Sequence, residues 1–246
     1  LAAALCSPNF LYMDETIHPK IIKLHPHELA NRLSYFLWSS MPDDELFKCA
    51  GDGSLLQSEV LNRQVERMLN DPRSEQFTHN FLGQWLRLRE INETTPDRKL
   101  YGEYDELLQH SLLQESESFF QRLLDDDLSI VNLLDSDFTI MNERIARHYE
   151  IDGVKGLALR KVSLKPDSVR GGVLTQGAVL KVTANGTNTS PVLRGVWALE
   201  NVLGRTPRPP PPNIAGLEPD IRSAVTIREQ LDKHRDVESC NACHRF

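Results

Sequence analysis

Cys240-Asn-Ala-Cys243-His244 is the stretch whose residue types and spacing carry the most chemistry. Two thiols three positions apart, followed at once by an imidazole, form the C-x-x-C-H attachment pattern of c-type haem. Each sulfur can bond one edge of a single porphyrin as a thioether, and the adjoining His244 then ligates the iron. Two other readings use the same atoms. A bare C-x-x-C can be a redox dithiol, but that motif belongs to a βαβ context, and here a Pro-rich and then helical stretch precedes it. It can also be half of a zinc site, but a structural zinc takes four ligands, usually with a second close pair. Cys6 and Cys49 stand alone, and His234 completes a mixed site only if the chain folds back. Covalent haem c on Cys240, Cys243 and His244 is therefore the expectation.

Other chemistry-bearing clusters are weaker. His27-Glu28 opens a metalloprotease pattern, but Asn31 stands where H-E-x-x-H needs its second histidine. His25 and His27 are read as helix-start residues. Glu106 and His110 lie four apart with Glu115 and Glu117 following, whereas carboxylate-bundle metal sites use Glu-x-x-His, so these residues are assigned to a solvated helix face. Asp135-Ser-Asp137 resembles the start of a calcium loop until Ile140 replaces the required glycine. Asn185, Thr187 and Arg194 can contact a ligand or a haem propionate, but a turn-and-cap role is the simpler one. Met13, Met41, Met68 and Met141 all precede the motif at core or boundary positions; the usual distal methionine would follow it, and His234 is the local alternative for a sixth ligand. No nucleophile elbow or phosphate loop is present.

The elements that must position these residues read as helices in the first half. Leu29, Leu33, Phe36 and Leu37 make one stripe over residues 25–38. Pro42 and the acids after it start a second helix that Gly51-Asp-Gly53 ends. Ser58 caps a third, and Asp71-Pro72 opens a fourth carrying Phe77, Phe81, Leu82, Trp85, Leu86 and Leu88. That aromatic row is read as core packing, with His79 as an interior or boundary histidine beside it. Residues 104–124 form the longest helix, stopping before Asp125-Asp-Asp127, whose charges oppose the helix dipole. Asn142 to Tyr149 closes this half. Beyond Ile151 the texture is looser: a short extended segment at 157–164, glycines at Arg170-Gly-Gly172 leading into a short helix, an Asn185-Gly186 turn, and a helix capped by Ser190-Pro191. Residues 205–213, rich in proline, form an extended strap, and residues 227–235 a polar helix that delivers Cys240.

The predicted fold is thus mainly α: a helical-bundle domain over 1–150, then a small, loop-rich α domain over 151–246 with a polyproline strap leading to the C-terminal C-x-x-C-H segment. A length of 246 residues, 40% hydrophobic and 26% charged, is that of an ordinary globular chain. A net charge of −7 with scattered basic residues argues against a nucleic-acid surface. No apolar run approaches the ~20 residues of a membrane span. Cys6 and Cys49 are read as small buried hydrophobes rather than a disulfide. Leu1 is not an initiator methionine and Phe246 follows the motif closely, so the chain is expected to be a piece of a longer protein with further domains.

Several stretches resemble the planctomycete cytochrome-c-like multidomain proteins, whose parts are catalogued as domains of unknown function. They are Glu28-Leu-Ala-Asn-Arg-Leu-Ser-Tyr-Phe-Leu-Trp38 with Met41-Pro-Asp-Asp-Glu-Leu46, Asn80-Phe-Leu-Gly-Gln-Trp85, Asn142-Glu-Arg-Ile-Ala-Arg-His-Tyr149, Arg170-Gly-Gly-Val-Leu-Thr-Gln176 and Ala184-Asn-Gly-Thr-Asn-Thr-Ser-Pro-Val-Leu-Arg-Gly195. The proline run and Leu231-Asp-Lys-His-Arg235 before Cys240 complete the pattern. The resemblance implies a helical domain followed by a smaller one ending in a haem motif, and an exported, periplasmic or cell-surface location. Electron transfer to an unidentified redox partner is the expected function. A peroxidase-like haem enzyme and a partner-binding scaffold without functional haem are the alternatives.

Overall fold

The computed structural model describes residues 2–7, 24–187 and 189–207 and, beyond them, only 226, 228–229 and 232–233. In chain order the helices are α1 (Ala2–Leu5), α2 (Pro26–Trp38), α3 (Asp44–Gly51), α4 (Ser58–Leu69), α5 (Glu75–Trp85), α6 (Glu106–Asp125), α7 (Glu143–His148), α8 (Gly177–Val182) and α9 (Pro191–Trp197). Strands β1 (Phe138–Met141) and β2 (Arg160–Ser163) pair antiparallel, Phe138 opposite Ser163 and Met141 opposite Arg160. The fold is mainly helical, as the periodicities predict. One compact unit spans Leu1–Gly204 and a second Arg205–Phe246. The change of sequence texture near residue 150 is therefore not a break in packing, because Ala178 and Val179 of α8 join Leu108 and Leu112 of α6 in one core.

Sequence chemistry explains the helix starts. The His25 ring accepts from the His27 amide while Glu28 accepts from the His25 amide, a reciprocal cap with Pro26 in the first turn. Asp43 caps α3 through the Leu46 amide at 3.0 Å, which places Pro42 before the cap and not in the first turn where it was expected. Ser58 is the first residue of α4 rather than its cap; Gln57 holds that position without a side-chain bond. In α2 the buried face is Ala30, Ser34, Leu37 and Trp38, while Phe36 is 58% exposed, so the stripe is rotated from the expected one. Helix α6 runs one residue past Leu124, and Arg122 pairs with Asp126 at 2.7 Å, offsetting the acids that were expected to stop it earlier.

Two apolar clusters result. The larger gathers α5, α6, β1, α7, α8 and Trp197 of α9. The smaller joins Ala30, Leu37, Trp38, Leu46, Ala50, Leu55 and Met68. Trp38 donates from its indole nitrogen to the Met68 carbonyl at 3.0 Å, and the Arg73 guanidinium lies 3.5 Å over its ring. The aromatic row expected on one helix from Asp71-Pro72 to Leu88 is divided: α5 covers only Glu75–Trp85, with Leu82 buried and Phe77, Phe81 and Trp85 half-buried at the edge of the core, while Leu86 and Leu88 are buried just beyond it, Leu88 in a 3-10 turn over Leu88–Asn92.

Candidate functional site

Cys240, Cys243 and His244 lie outside the described residues, as do His234, Met13, the prolines from 209 onward and most of the helix expected at 227–235. Among the described residues no cluster of His, Cys, Asp or Glu could hold a metal. Cys6 and Cys49 are both free; Cys49 is partly buried as expected, but Cys6 is exposed.

Within the compact unit the chemistry converges instead on Glu115. Its neighbours on one face of α6 (Leu108, Ser111, Leu112, Ser116, Phe119, Leu123) are all buried, and Glu115 is 1% exposed. This corrects the assignment of Glu115 to a solvated face. The residues at 108, 112, 115, 119 and 123 recur at helical spacing, so the apolar stripe passes straight through the glutamate. Its companions Glu106 and His110 are exposed as expected, and Glu117 pairs with His79 at 2.8 Å. His79 is a surface partner at 62% side-chain exposure, not an interior histidine.

Three elements supply the partners of Glu115. From β1, the Thr139 hydroxyl donates to Oε1 at 2.9 Å. From the end of α7, the Tyr149 hydroxyl donates to Oε2 at 2.5 Å and accepts from the Gly177 amide at 2.6 Å. Segment 170–176 closes the third side, where the Arg170 guanidinium lies 3.5 Å over the Tyr149 ring and donates to the Thr175 carbonyl at 2.9 Å. Ser116, next to Glu115, donates to the Gln176 side-chain oxygen at 2.7 Å. Burial pushes the Glu115 carboxyl up to about 7, against the opposing pull of Tyr149, Thr139, Arg170 and the Gly177 amide. Burial first, then the Glu115 charge, pushes the Tyr149 hydroxyl well above its ordinary value.

Glycines make this approach possible. A methyl on Gly172 would lie 2.5 Å from the Leu133 carbonyl oxygen, and one on Gly177 would lie 2.5 Å from Leu112 and 2.9 Å from the Tyr149 hydroxyl. The cavity bordered by Glu115, Thr139, Tyr149, Arg170 and Thr175 is about 10 Å³, the space of one water. It cannot admit a substrate or cofactor.

The remaining candidates resolve as structural. Asn185 Oδ1 accepts from the Thr187 amide at 3.0 Å and hydroxyl at 3.1 Å, and Ser190 caps α9, which is the turn-and-cap arrangement. Gly186, at φ +90°, lets this loop turn so that its carbonyl accepts from the Asp97 amide at 2.8 Å. Arg194 donates to the Thr189 hydroxyl at 2.6 Å, while its Nε is buried without a hydrogen-bond partner. Ser136, in the rejected calcium loop, bonds the Phe138 backbone instead. Met68 and Met141 are fully buried and Met41 is 64% exposed. The buried Lys181, missed in the sequence, donates to the carbonyls of Ile91 and Thr94 and to the Thr94 hydroxyl; burial lowers its pKa. Among the described residues no helix is long and apolar enough to cross a membrane.

A family model described as PSD4, protein of unknown function (DUF1592), matches residues 24–151, and one described as PSCyt3, protein of unknown function (DUF1588), matches residues 170–246. Both are domains of unknown function found in planctomycete cytochrome-c-like proteins. No curated protein and no solved structure matches the chain. Glu115, Thr139 and Tyr149 fall in the first range, while Arg170, Gln176 and Gly177 fall in the second.

Proposed function

Because the chain belongs to the family described as protein of unknown function (DUF1592), whose domain occurs in cytochrome-c-like proteins, we propose that it is part of an exported c-type electron-transfer protein. The observation that carries this reading is the C-x-x-C-H sequence inside the stretch matched by the second family model. Its donor set, two thiols and an imidazole, has the composition that covalent haem attachment uses. Cys240 and Cys243 would each add a thiol across a porphyrin vinyl group; a carbon–sulfur bond forms and the thiol proton goes to the neighbouring carbon. His244 would give the iron one imidazole nitrogen. Bound haem would supply a one-electron couple whose potential depends on the other axial ligand.

The test is the mass and absorption spectrum of the mature full-length protein from its native cells. The expected result is one haem added on the peptide containing Cys240 and Cys243, both thiols closed to alkylation, and a low-spin, six-coordinate spectrum. High-spin iron reacting with peroxide would replace electron transfer with enzyme chemistry. A bare polypeptide mass with both thiols free to alkylate would overturn the haem reading and leave the scaffold.

A further inference from the structure

Glu115 sits where the two family-matched stretches meet. Thr139 and Tyr149 of the first donate to its carboxylate, and Tyr149 accepts from the Gly177 amide of the second. A carboxyl group in this position has two states with different demands. Protonated, it is neutral and leaves no charge in the interior beside Phe119, with its own proton taking the place of one of the two hydroxyl donors that the carboxylate accepts. Ionised, it is a buried anion whose nearest cation, Arg170, is already engaged with the Tyr149 ring and the Thr175 carbonyl. The anion then gains from whatever lets solvent reach it. Three walls of the cavity are held by α6, by the paired strand β1 and by the end of α7. The fourth is segment 170–176, which has only one 3-10 turn, Val173–Thr175, before α8 begins at Gly177. It is the wall with the least regular structure to lose.

We propose that Glu115, Tyr149 and Arg170 form a proton-operated latch that fastens Arg170–Gly177 to α6 while Glu115 is protonated and loosens that segment when Glu115 ionises. The groups facing Glu115 from the surrounding elements are the neutral Thr139 of β1, Tyr149 after α7, and Arg170. Asp135 borders Gly171. Other titratable groups on the packed elements are turned elsewhere: His79 of α5 to Glu117, His148 of α7 to Glu103, and Lys181 of α8 to the Ile91 and Thr94 carbonyls. The closed state keeps its proton up to about pH 7, whereas a released Glu115 has the ordinary value of 4.5. The latch is therefore strongest below 4.5, weakens as pH rises toward 7, and changes no further above that. Across this window the opening constant of the segment rises on the order of a hundredfold.

Amide hydrogen exchange on the full chain at pH 5 and pH 7.5, corrected for intrinsic rates, reads the latch directly. Peptides covering 171–182 should lose protection on the order of a hundredfold at the higher pH, while those from α2 to α4 keep theirs. Glu115→Gln, of the same shape and without the charge, should hold the segment protected at both values. Equal protection of the segment at both pH values in the wild type overturns the proposal, and so does a Glu115→Gln chain that loosens as the wild type does. A second wild-type measurement needs no variant to fold: the Glu115 carboxyl followed by 13C NMR must titrate together with the loss of protection, and a midpoint near 4.5 refutes it. These readings do not depend on haem, so the haem proposal can fail while the latch stands, and the reverse.

Discussion

At the scale of single residues, the tightest constraints fall on glycine and on groups that touch Glu115. Gly172 has φ +69° and ψ 179°, a conformation essentially confined to glycine, and its α-carbon is pressed against the backbone of Leu133 and Leu134. Gly53 also has positive φ, +76°, but an added methyl would meet nothing within 4 Å. The pair separates two costs. Gly53→Ala should lose about 1 kcal/mol, the penalty of a left-handed backbone alone. Gly172→Ala adds a collision with main-chain atoms that cannot rotate away and should lose about 3 kcal/mol or more. Urea midpoints of the two variants measure this, and equal losses would show that the 133–136 turn yields freely. The Arg170-Gly-Gly172 sequence announced a tight backbone, and the structure supplies its reason: the turn passes against the one leading into β1. Glu115 was legible only by position. Glutamate as a residue type points to solvent, whereas the helical spacing of Leu108, Leu112, Phe119 and Leu123 points inward, and at this site the spacing decides.

At the scale of elements, helix boundaries were readable wherever a side chain makes the first backbone bond. Ser190 shows this for α9, whereas for α6 the cap is Asp105, inside the stretch expected to be helical from residue 104, accepting from the Leu108 amide at 2.7 Å. That bond is the main cause holding the Asp105 carboxyl below its ordinary value, with Arg144 assisting. Asp105→Ala should cost about 1 kcal/mol near neutral pH. A depressed acid stabilises above its unfolded value of 3.8 and loses that contribution as pH falls through its folded value, so the variant and wild type should converge in acid. Thermal melts at a series of pH values from 7 down into acid check both parts, the gap narrowing once pH falls below 3.8; a constant gap would mean that the aspartate acts by shape and not by charge. Where no side-chain bond marks a boundary, the sequence was a poorer guide, as at Ser58, which stands inside α4. Strand β1 was missed because all of its residues are buried, on both faces, so Phe138-Thr-Ile-Met141 shows none of the alternation that reveals a half-exposed strand. Its partner β2, mostly exposed, was found from the extended texture between Gly156 and Pro166.

At the scale of the compact unit, the arrangement is two apolar clusters with Phe77 packed against both. Its ring lies 5.0 Å from Phe36 of α2, 5.3 Å from Phe81 of α5 and 6.0 Å from Phe120 of α6. The smaller cluster buries few side chains for the length of chain it must order, from α2 to α4, so its stability depends on the larger one. Two small domains that share an aromatic junction melt together as long as the coupling exceeds the deficit of the weaker one. Phe77→Ala removes the shared ring and leaves a cavity at the junction, at a cost of about 2–3 kcal/mol for a half-buried position. The loss should fall on the coupling. Calorimetry of the wild type should show one transition for the Leu1–Gly204 unit, and Phe77→Ala should show two, the lower belonging to α2–α4. Trp38 lies in the smaller cluster, Trp197 in the larger and Trp85 packed against the larger, so fluorescence of variants retaining either Trp38 alone or Trp197 alone of the three assigns each transition. Leu82→Ala is the informative contrast, because Leu82 is fully buried in the larger cluster alone and its loss should lower one shared transition without splitting it. A Phe77→Ala chain that melts in a single step, merely at lower temperature, would show that the two clusters are one cooperative core and that Phe77 is an ordinary member of it.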